Sequence, residues 1–178
     1  MAQDTIHIRD ATPQDMDRIS EIYAHYVLNT VITFELDPPD AAEMARRAAS
    51  VQSRGFPYLV ADQAGMVLGY AYAAPYRTRP AYRFTVEDTV YLDPGATGKG
   101  LGKRLLSDII DICTEKGFRQ MIGIVAGHEN AASINLHKSL KFEQVGVTKA
   151  VGQKFGRWID TTYLQRPLGP GDLEPPIE

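Results

Sequence analysis

Asp93-Pro94-Gly95-Ala96-Thr97-Gly98-Lys99-Gly100-Leu101-Gly102-Lys103-Arg104-Leu105-Leu106 leads out of an apolar strand pattern and into an amphipathic helix pattern. Gly98, Gly100 and Gly102 remove the side chains that would hold an anion away from the main chain. The first N–H groups of a helix have no partner within it, and the helix dipole adds positive potential at the same end. Lys99, Lys103 and Arg104 bring full charges nearby. This chemistry suits a pyrophosphate. A phosphate-loop NTPase needs Ser or Thr after Gly-Lys, whereas Gly100 follows Gly98-Lys99, and Asp93 stands where that motif opens with Gly. A dinucleotide fingerprint opening at Gly98 would need Gly where Lys103 stands. A glycine-rich turn at a helix start, without a ligand, is the plain alternative.

Working outward, the strand before this segment spans Phe84 to Leu92, and the helix after it carries Leu105, Leu106, Ile109, Ile112 and Cys113 on one face up to Gly117. Upstream, Ile6-His7-Ile8-Arg9 alternates as a half-buried strand does. Thr12 and Pro13 then open a helix through Val27, residues 30–39 read as a loop, and Asp40 caps a helix to Ser53. Tyr58–Ala61 and Met66–Ala74 flank turn chemistry and read as a hairpin, and residues 77–83 form a polar connection. Downstream come a strand at Gln120–Val125, a helix from Asn130 to Leu140, and closing strands at Phe142–Val147 and Arg157–Gln165. The pattern gives one α/β domain over residues 1–166. Four prolines in the last twelve residues make 167–178 an irregular Pro-rich C-terminal tail.

The chain's 178 residues, 44% hydrophobic and 23% charged, suit one globular domain with its own core. Nineteen Lys and Arg against 22 Asp and Glu leave a net charge of −3, which argues against general nucleic-acid binding. No apolar run reaches the ~18–20 residues of a membrane helix, and residues 1–10 lack the pattern of a signal peptide. A single cysteine, Cys113, forms no internal disulfide and fits a reducing cytoplasm. His128 and His137 stand nine apart without His-Glu-x-x-His, so no metal site is expected. Cys113 lies at core spacing in its helix, and Trp158 reads as a core or dimer-interface residue.

Five pieces in order carry a resemblance: Pro75-Tyr76-Arg77-Thr78-Arg79-Pro80-Ala81-Tyr82; Val86 through Pro94; Gly98 through Gly102; Asn130 through His137; and Val151 through Asp160. Together they resemble the GNAT N-acetyltransferases, and within that superfamily the phosphinothricin and small L-amino-acid acetyltransferases. The resemblance implies an α/β (α+β) GNAT fold, a mixed, mostly antiparallel twisted central sheet flanked by helices, with acetyl-CoA entering where strands splay. It implies direct acetyl transfer to the α-amine of a small L-amino acid or analogue such as phosphinothricin, methionine sulfone or methionine sulfoximine. It also implies a homodimer. Two departures stand out. Thr97 occupies a loop position that is often Gln or Arg, and Lys141-Phe142 stands where many members read Gly-Phe.

Acetyl transfer needs a neutral amine, donors for the oxyanion and a proton for the departing thiolate. Glu87, a carboxylate inside a β-rich run, reads either as an exposed strand residue or as a group facing a site; the resemblance makes it the general base. His137 is an exposed helix histidine, an acid or a structural group at the coenzyme. Asn130, one helical turn from Ser133, is an N-cap or a ligand of the pantetheine arm, and the resemblance implies that both residues serve the coenzyme. The resemblance also gives backbone contacts to Val90 and Leu92, and pyrophosphate contacts to Gly98, Lys99, Gly100, Leu101, Gly102 and Lys103. Arg77 and Arg79 taken alone are solvated loop cations or forks that match a carboxylate or phosphinate; the resemblance implies that they or their neighbours bind an acidic substrate, with Tyr82 and Phe34 lining its pocket. The rivals are an acetyltransferase for protein N-termini or other amines, a non-catalytic coenzyme-A-binding module, and a nucleotide-phosphate binder.

Overall fold

A computed structural model describes residues 5–127 and 130–176. Strand β1 is His7–Asp10, helix α1 is Met16–Asn29 and α2 is Ala41–Ser53. Then follow β2 (Tyr58–Gln63), β3 (Met66–Pro75), β4 (Thr85–Leu92), α3 (Leu101–Glu115), β5 (Gln120–Ala126), α4 (Ala131–Ser139), β6 (Glu143–Lys154) and β7 (Arg157–Pro167). The seven strands form one sheet in the order β1-β2-β3-β4-β5-β7-β6. Every pairing is antiparallel except β4 with β5. This is the expected mixed, mostly antiparallel sheet.

The two faces of the sheet bury different helices. On one face, Leu105, Leu106, Ile109, Ile110 and Cys113 of α3 pack with Val86 of β4, Met121 and Val125 of β5, and Leu164 of β7. On the other, Ile19, Ile22, Tyr23 and Val27 of α1 and Met44 and Ala48 of α2 pack on Tyr58, Val60, Val67 and Tyr70. Each fully buried Leu or Ile contributes roughly 1.5–3 kcal/mol. The helix starts are chemically specified. Asp40 accepts from the Glu43 N–H at 2.8 Å, and Asp15 accepts from the Thr12 N–H and hydroxyl at 2.7 and 2.9 Å.

Some boundaries differ from the expectation. Strand β6 runs on through Lys154, because register shifts at Gln144/Gly146 and Thr148/Gly152 interrupt the alternation that would have marked its length. Phe142 precedes the strand and fills the core. Trp158 does not pack in the core: 71% of it is exposed on β7. The tail beyond Pro167 holds no helix or strand among its described residues, yet Leu168 is buried and the Arg119 guanidinium donates to the Gly171 and Pro175 carbonyls. Lys141 takes φ 66°, the left-handed conformation that glycine adopts without cost.

Candidate active site

Strands β4 and β5 pair only across Thr85↔Gln120, Val86↔Met121 and Glu87↔Ile122. Beyond that point they part, while β4 stays paired with β3 to Leu92 and β5 with β7 to Ala126. A cleft of about 690 Å³ opens between them. The parted edge of β4 offers main-chain N–H and C=O groups that no strand satisfies. One of them is already engaged: the Leu92 carbonyl accepts from the Tyr26 hydroxyl at 2.6 Å.

The α3 end of the cleft is the glycine segment. Gly98 and Gly100 have φ 75° and 76°, and no atom lies within 4 Å of where a Cβ would stand. Gly100 is the N-cap of α3 and supplies no capping side chain. The first N–H groups of α3 therefore face the cleft beside Lys103, a donor set that suits a diphosphate. Lys99 does not line the cleft; its ammonium folds back to the Gly95 carbonyl at 3.1 Å.

The opposite end holds Glu87, Thr89 and Thr161 under a roof of Ile32 and Phe34. The loop bearing Phe34 is held by three elements. Tyr23 shares a 2.7 Å hydrogen bond with Thr33, Arg47 donates to Glu35 at 2.6 Å, and the buried Lys154 ammonium donates to the Thr33 carbonyl at 2.9 Å. Glu87 is not on an exposed strand face. Burial, with the neighbouring Asp88 carboxylate adding to it, pushes its carboxyl up to about 7, against the lowering effect of Arg77. A group so poised is half ionised near neutral pH and can take a proton from a bound ammonium.

Helix α4 forms a side wall. The Asn130 side chain accepts from the Ser133 N–H at 3.3 Å, so it is the N-cap, and both residues line the cleft. His137 is buried. Its Nδ1 lies 2.7 Å from the Ser133 carbonyl and its Nε2 3.0 Å from Asp88 Oδ2. Burial lowers the imidazole's proton affinity, but the Asp88 hydrogen bond and charge outweigh it and the net shift is upward.

The structure thus gathers Glu87, His137, Val90, Leu92, Gly98, Gly100, Leu101, Gly102, Lys103, Asn130, Ser133 and Phe34 around one cleft. It does not bring Arg77, Arg79 or Tyr82 there. Arg77 stacks over Tyr76 at 4.9 Å, Arg79 is exposed, and Tyr82 lines a separate hollow with Tyr76 and Tyr163. A short 3₁₀ segment at Pro80–Tyr82 follows the two arginines, and Arg77 acts on Glu87 only by its charge. Sequence reading missed Asp88, Gly123, Arg47 and Lys154 as parts of the site. A glycine inside an apolar strand was the one local signal, since it marks a close approach. Cys113 is buried, its thiol pushed up to about 12 by burial, and is no nucleophile. Among the described residues, no three His, Cys, Asp or Glu gather as metal ligands; His128 lies outside them.

The family model described as an acetyltransferase (GNAT) domain matches residues 8–163. The chain belongs to the GNAT acetyltransferases. Among GNAT relatives, phosphinothricin N-acetyltransferase of Alcaligenes faecalis is 49% identical over 95% of this chain and 86% of its own. L-methionine sulfoximine/L-methionine sulfone acetyltransferase of Salmonella typhimurium is 40% identical over 90% and 94%. A crystal structure of a GNAT superfamily phosphinothricin acetyltransferase from Sinorhizobium meliloti, in complex with acetyl-CoA, superposes with a TM-score of 0.93. It is 51% identical and the match covers 98% of this chain and 94% of that one. The GNAT fold and acetyl-CoA as co-substrate follow from these matches.

Proposed function

We propose that the protein moves the acetyl group of acetyl-CoA to the α-amine of a small L-amino acid or analogue, of the phosphinothricin, methionine sulfone or methionine sulfoximine type. The observation that carries the chemistry is Glu87, a half-buried carboxylate poised near neutrality at the fork of the cleft. The names of the relatives supply the substrate class. Coenzyme A supplies the thioester. The chain's residues do the rest: the main chain of Gly98 to Gly102 with the Lys103 side chain holds the pyrophosphate on the α3 N-terminus, the parted edge of β4 at Val90 and Leu92 pairs with the pantetheine amides, and Phe34 walls the acceptor. Glu87 takes the ammonium proton, the nitrogen attacks the thioester carbon without an acyl-enzyme, and as the C–S bond breaks the second proton of the nitrogen passes to the departing thiolate, so that coenzyme A leaves as the thiol and the amide is neutral.

The test is thiol release from acetyl-CoA over a panel of free amino acids and their sulfone, sulfoximine and phosphinic analogues, beside Glu87→Gln. Turnover that falls ~100-fold or more in the variant is the expected result. Coenzyme A binding without turnover of any amine would sink the reading in favour of a protein substrate or a binding module. Misfolding is separable by its sign. The folded-state carboxyl is raised from its ordinary 4.5 to about 7, so the parent loses stability as the pH climbs between those two values and carries the full penalty above them. Glu87→Gln should therefore raise the melting temperature at pH 8 relative to the parent, and not at pH 4.

The same reading includes a homodimer in a reducing cytoplasm. The outermost strand, β6, leaves Val145 and Val151 exposed (58% and 56%) beside Trp158 of β7. Sedimentation velocity should show a dimer that Val151→Lys splits, and a monomeric parent would overturn this part.

A further inference from the structure

The last paired residues of the fork are Glu87 and Ile122, so Asp88 and Gly123 are the first that part. One side chain touches both. The His137 ring reaches in from α4, bonds Asp88 Oδ2 at 3.0 Å and fills the space beside Gly123 that a Cβ would take. A Cβ on Gly123 would stand 2.6 Å from His137 Cδ2 and 2.7 Å from Nε2. The ring also pairs with Phe142 in a T-shaped contact, the centroids 5.0 Å apart. His137 is also the one buried residue of α4, the helix that presents Asn130 and Ser133 to the cleft.

The partners fix where the protons are. Nδ1 faces a carbonyl, which only accepts, so Nδ1 carries a proton and donates it. Nε2 faces a carboxylate, and one proton lies between them in either form of the pair, imidazolium with carboxylate or imidazole with carboxylic acid. Removing that proton would set a lone pair against an anion in a buried site. Both ring protons are therefore held by protein acceptors, and neither points into the cleft. The second carboxylate oxygen, Asp88 Oδ1, is buried without a protein partner, so Asp88 depends on His137 for its neutralisation.

We propose that His137, clamped to Asp88 and seated on Gly123, is the wedge that parts β4 from β5 and holds α4 against the coenzyme cleft, and is a positioning residue, not the proton donor to the leaving thiolate. This goes past the acetyl-transfer reading, and rests on it only where turnover is measured. The charged and titratable groups around the pair are Glu87 on β4 itself, Arg77 beyond it, and Cys113 of α3.

The experiment compares His137→Gln with His137→Asn, reading the equilibrium Kd for coenzyme A by calorimetry and kcat for acetyl transfer. The Gln amide reaches the position of Nε2 and can donate to Asp88; the shorter Asn amide can replace only the Nδ1 bond. His137→Asn should weaken coenzyme A binding roughly tenfold or more, as expected for orphaning a buried charged acceptor. His137→Gln should recover most of that affinity and most of kcat. Neither amide can act as an acid, so a loss of ~100-fold in kcat shared by both variants, with Kd unchanged, would overturn the proposal. If His137→Asn does not fold, Asp88→Asn decides. The amide it introduces still bonds the ring, so coenzyme affinity and kcat should each fall by less than about tenfold, and a larger fall confined to kcat would restore the acid role. Should the parent bind coenzyme A but turn over no amine, the Kd arm still judges the wedge while the substrate reading fails alone. A parent that binds no coenzyme A overturns both.

Discussion

Helices α3 and α4 flank the same cleft and are held to the protein in opposite ways. Seven residues of α3 are buried, from Leu101 to Cys113, and all but Gly102 belong to the apolar core. Helix α4 buries His137 alone, and packs Ile134 and Leu136 only partly against the core. An apolar stripe is redundant, since loss of any one side chain leaves the others in place. A single imidazole between a carboxylate and a carbonyl is not redundant, and it specifies a geometry that an apolar contact leaves loose. The phosphate end of the cleft is therefore built on the core, and the wall beside the reacting end hangs on one polar pair.

The largest effect that sharpens this contrast is on global stability. Leu105→Ala should cost about 2–5 kcal/mol, because Leu105 is fully buried between α3 and the sheet. A denaturant midpoint within error of the parent would show that α3 is not the anchor described. Hydrogen exchange gives the matching measurement on the parent: α3 amides should exchange only through global unfolding, and α4 amides through a cheaper local opening.

Two glycines test the same difference at smaller scale. A Cβ on Gly123 collides with a ring whose two nitrogens are both bonded, so the ring cannot move without breaking one. Gly123→Ala should loosen α4 and weaken coenzyme A binding roughly tenfold. At Gly102, by contrast, a Cβ would meet Leu136 at 3.4 Å and Leu92 at 3.5 Å, close to ordinary contact. Gly102→Ala should leave stability within about 1 kcal/mol of the parent, the helix-propensity gain offsetting the tight fit. Equal destabilisation by the two would erase the distinction.

The acid limb of kcat/KM against pH follows Glu87. The base acts ionised, so the rate should rise with pH through about 7. Arg77 lowers the carboxyl while burial and Asp88 raise it. Arg77→Gln therefore removes the one lowering influence and should move the limb to higher pH, whereas Asp88→Asn should move it lower. A limb that stays put in both variants would detach Glu87 from the profile.

What was legible in the sequence was local. The glycine segment and the α3 stripe announce themselves within about twenty residues, and Glu87 stands out as a carboxylate in a β-rich run. The Asp88–His137 bond joins residues 49 apart, and Gly123 meets His137 only once β5 and α4 have docked. No periodicity encodes such a meeting. Arg77, Arg79 and Tyr82 lie outside the cleft lining, a placement no local pattern gives. Alternation on an extended segment fixes which side chains share a face, but not what that face looks onto once the chain is folded. The roof over Glu87 was half read: Phe34 was marked as a wall, but Lys154, which holds it from 121 residues away, was not.

The smallest effect tests the joint between α4 and β6. Lys141 is exposed at φ 66°, one residue after the α4 C-cap Leu140. Its N–H donates to the Lys138 carbonyl at 3.0 Å, and the Phe142 N–H donates to the His137 carbonyl at 3.1 Å, so the turn closes directly on the residue that wedges the fork. A Cβ in this conformation costs about 1–2 kcal/mol, which glycine avoids while losing more freedom on folding. The net expectation for Lys141→Gly is stabilisation of about 0.5–1 kcal/mol, or a rise in Tm of roughly 1–4 °C for a chain of this size. Because the change relieves the turn without touching the cleft, kcat and the coenzyme A Kd should stay at the parent values. A fall in Tm would mean that the lysine side chain contributes more to this joint than its backbone strain removes.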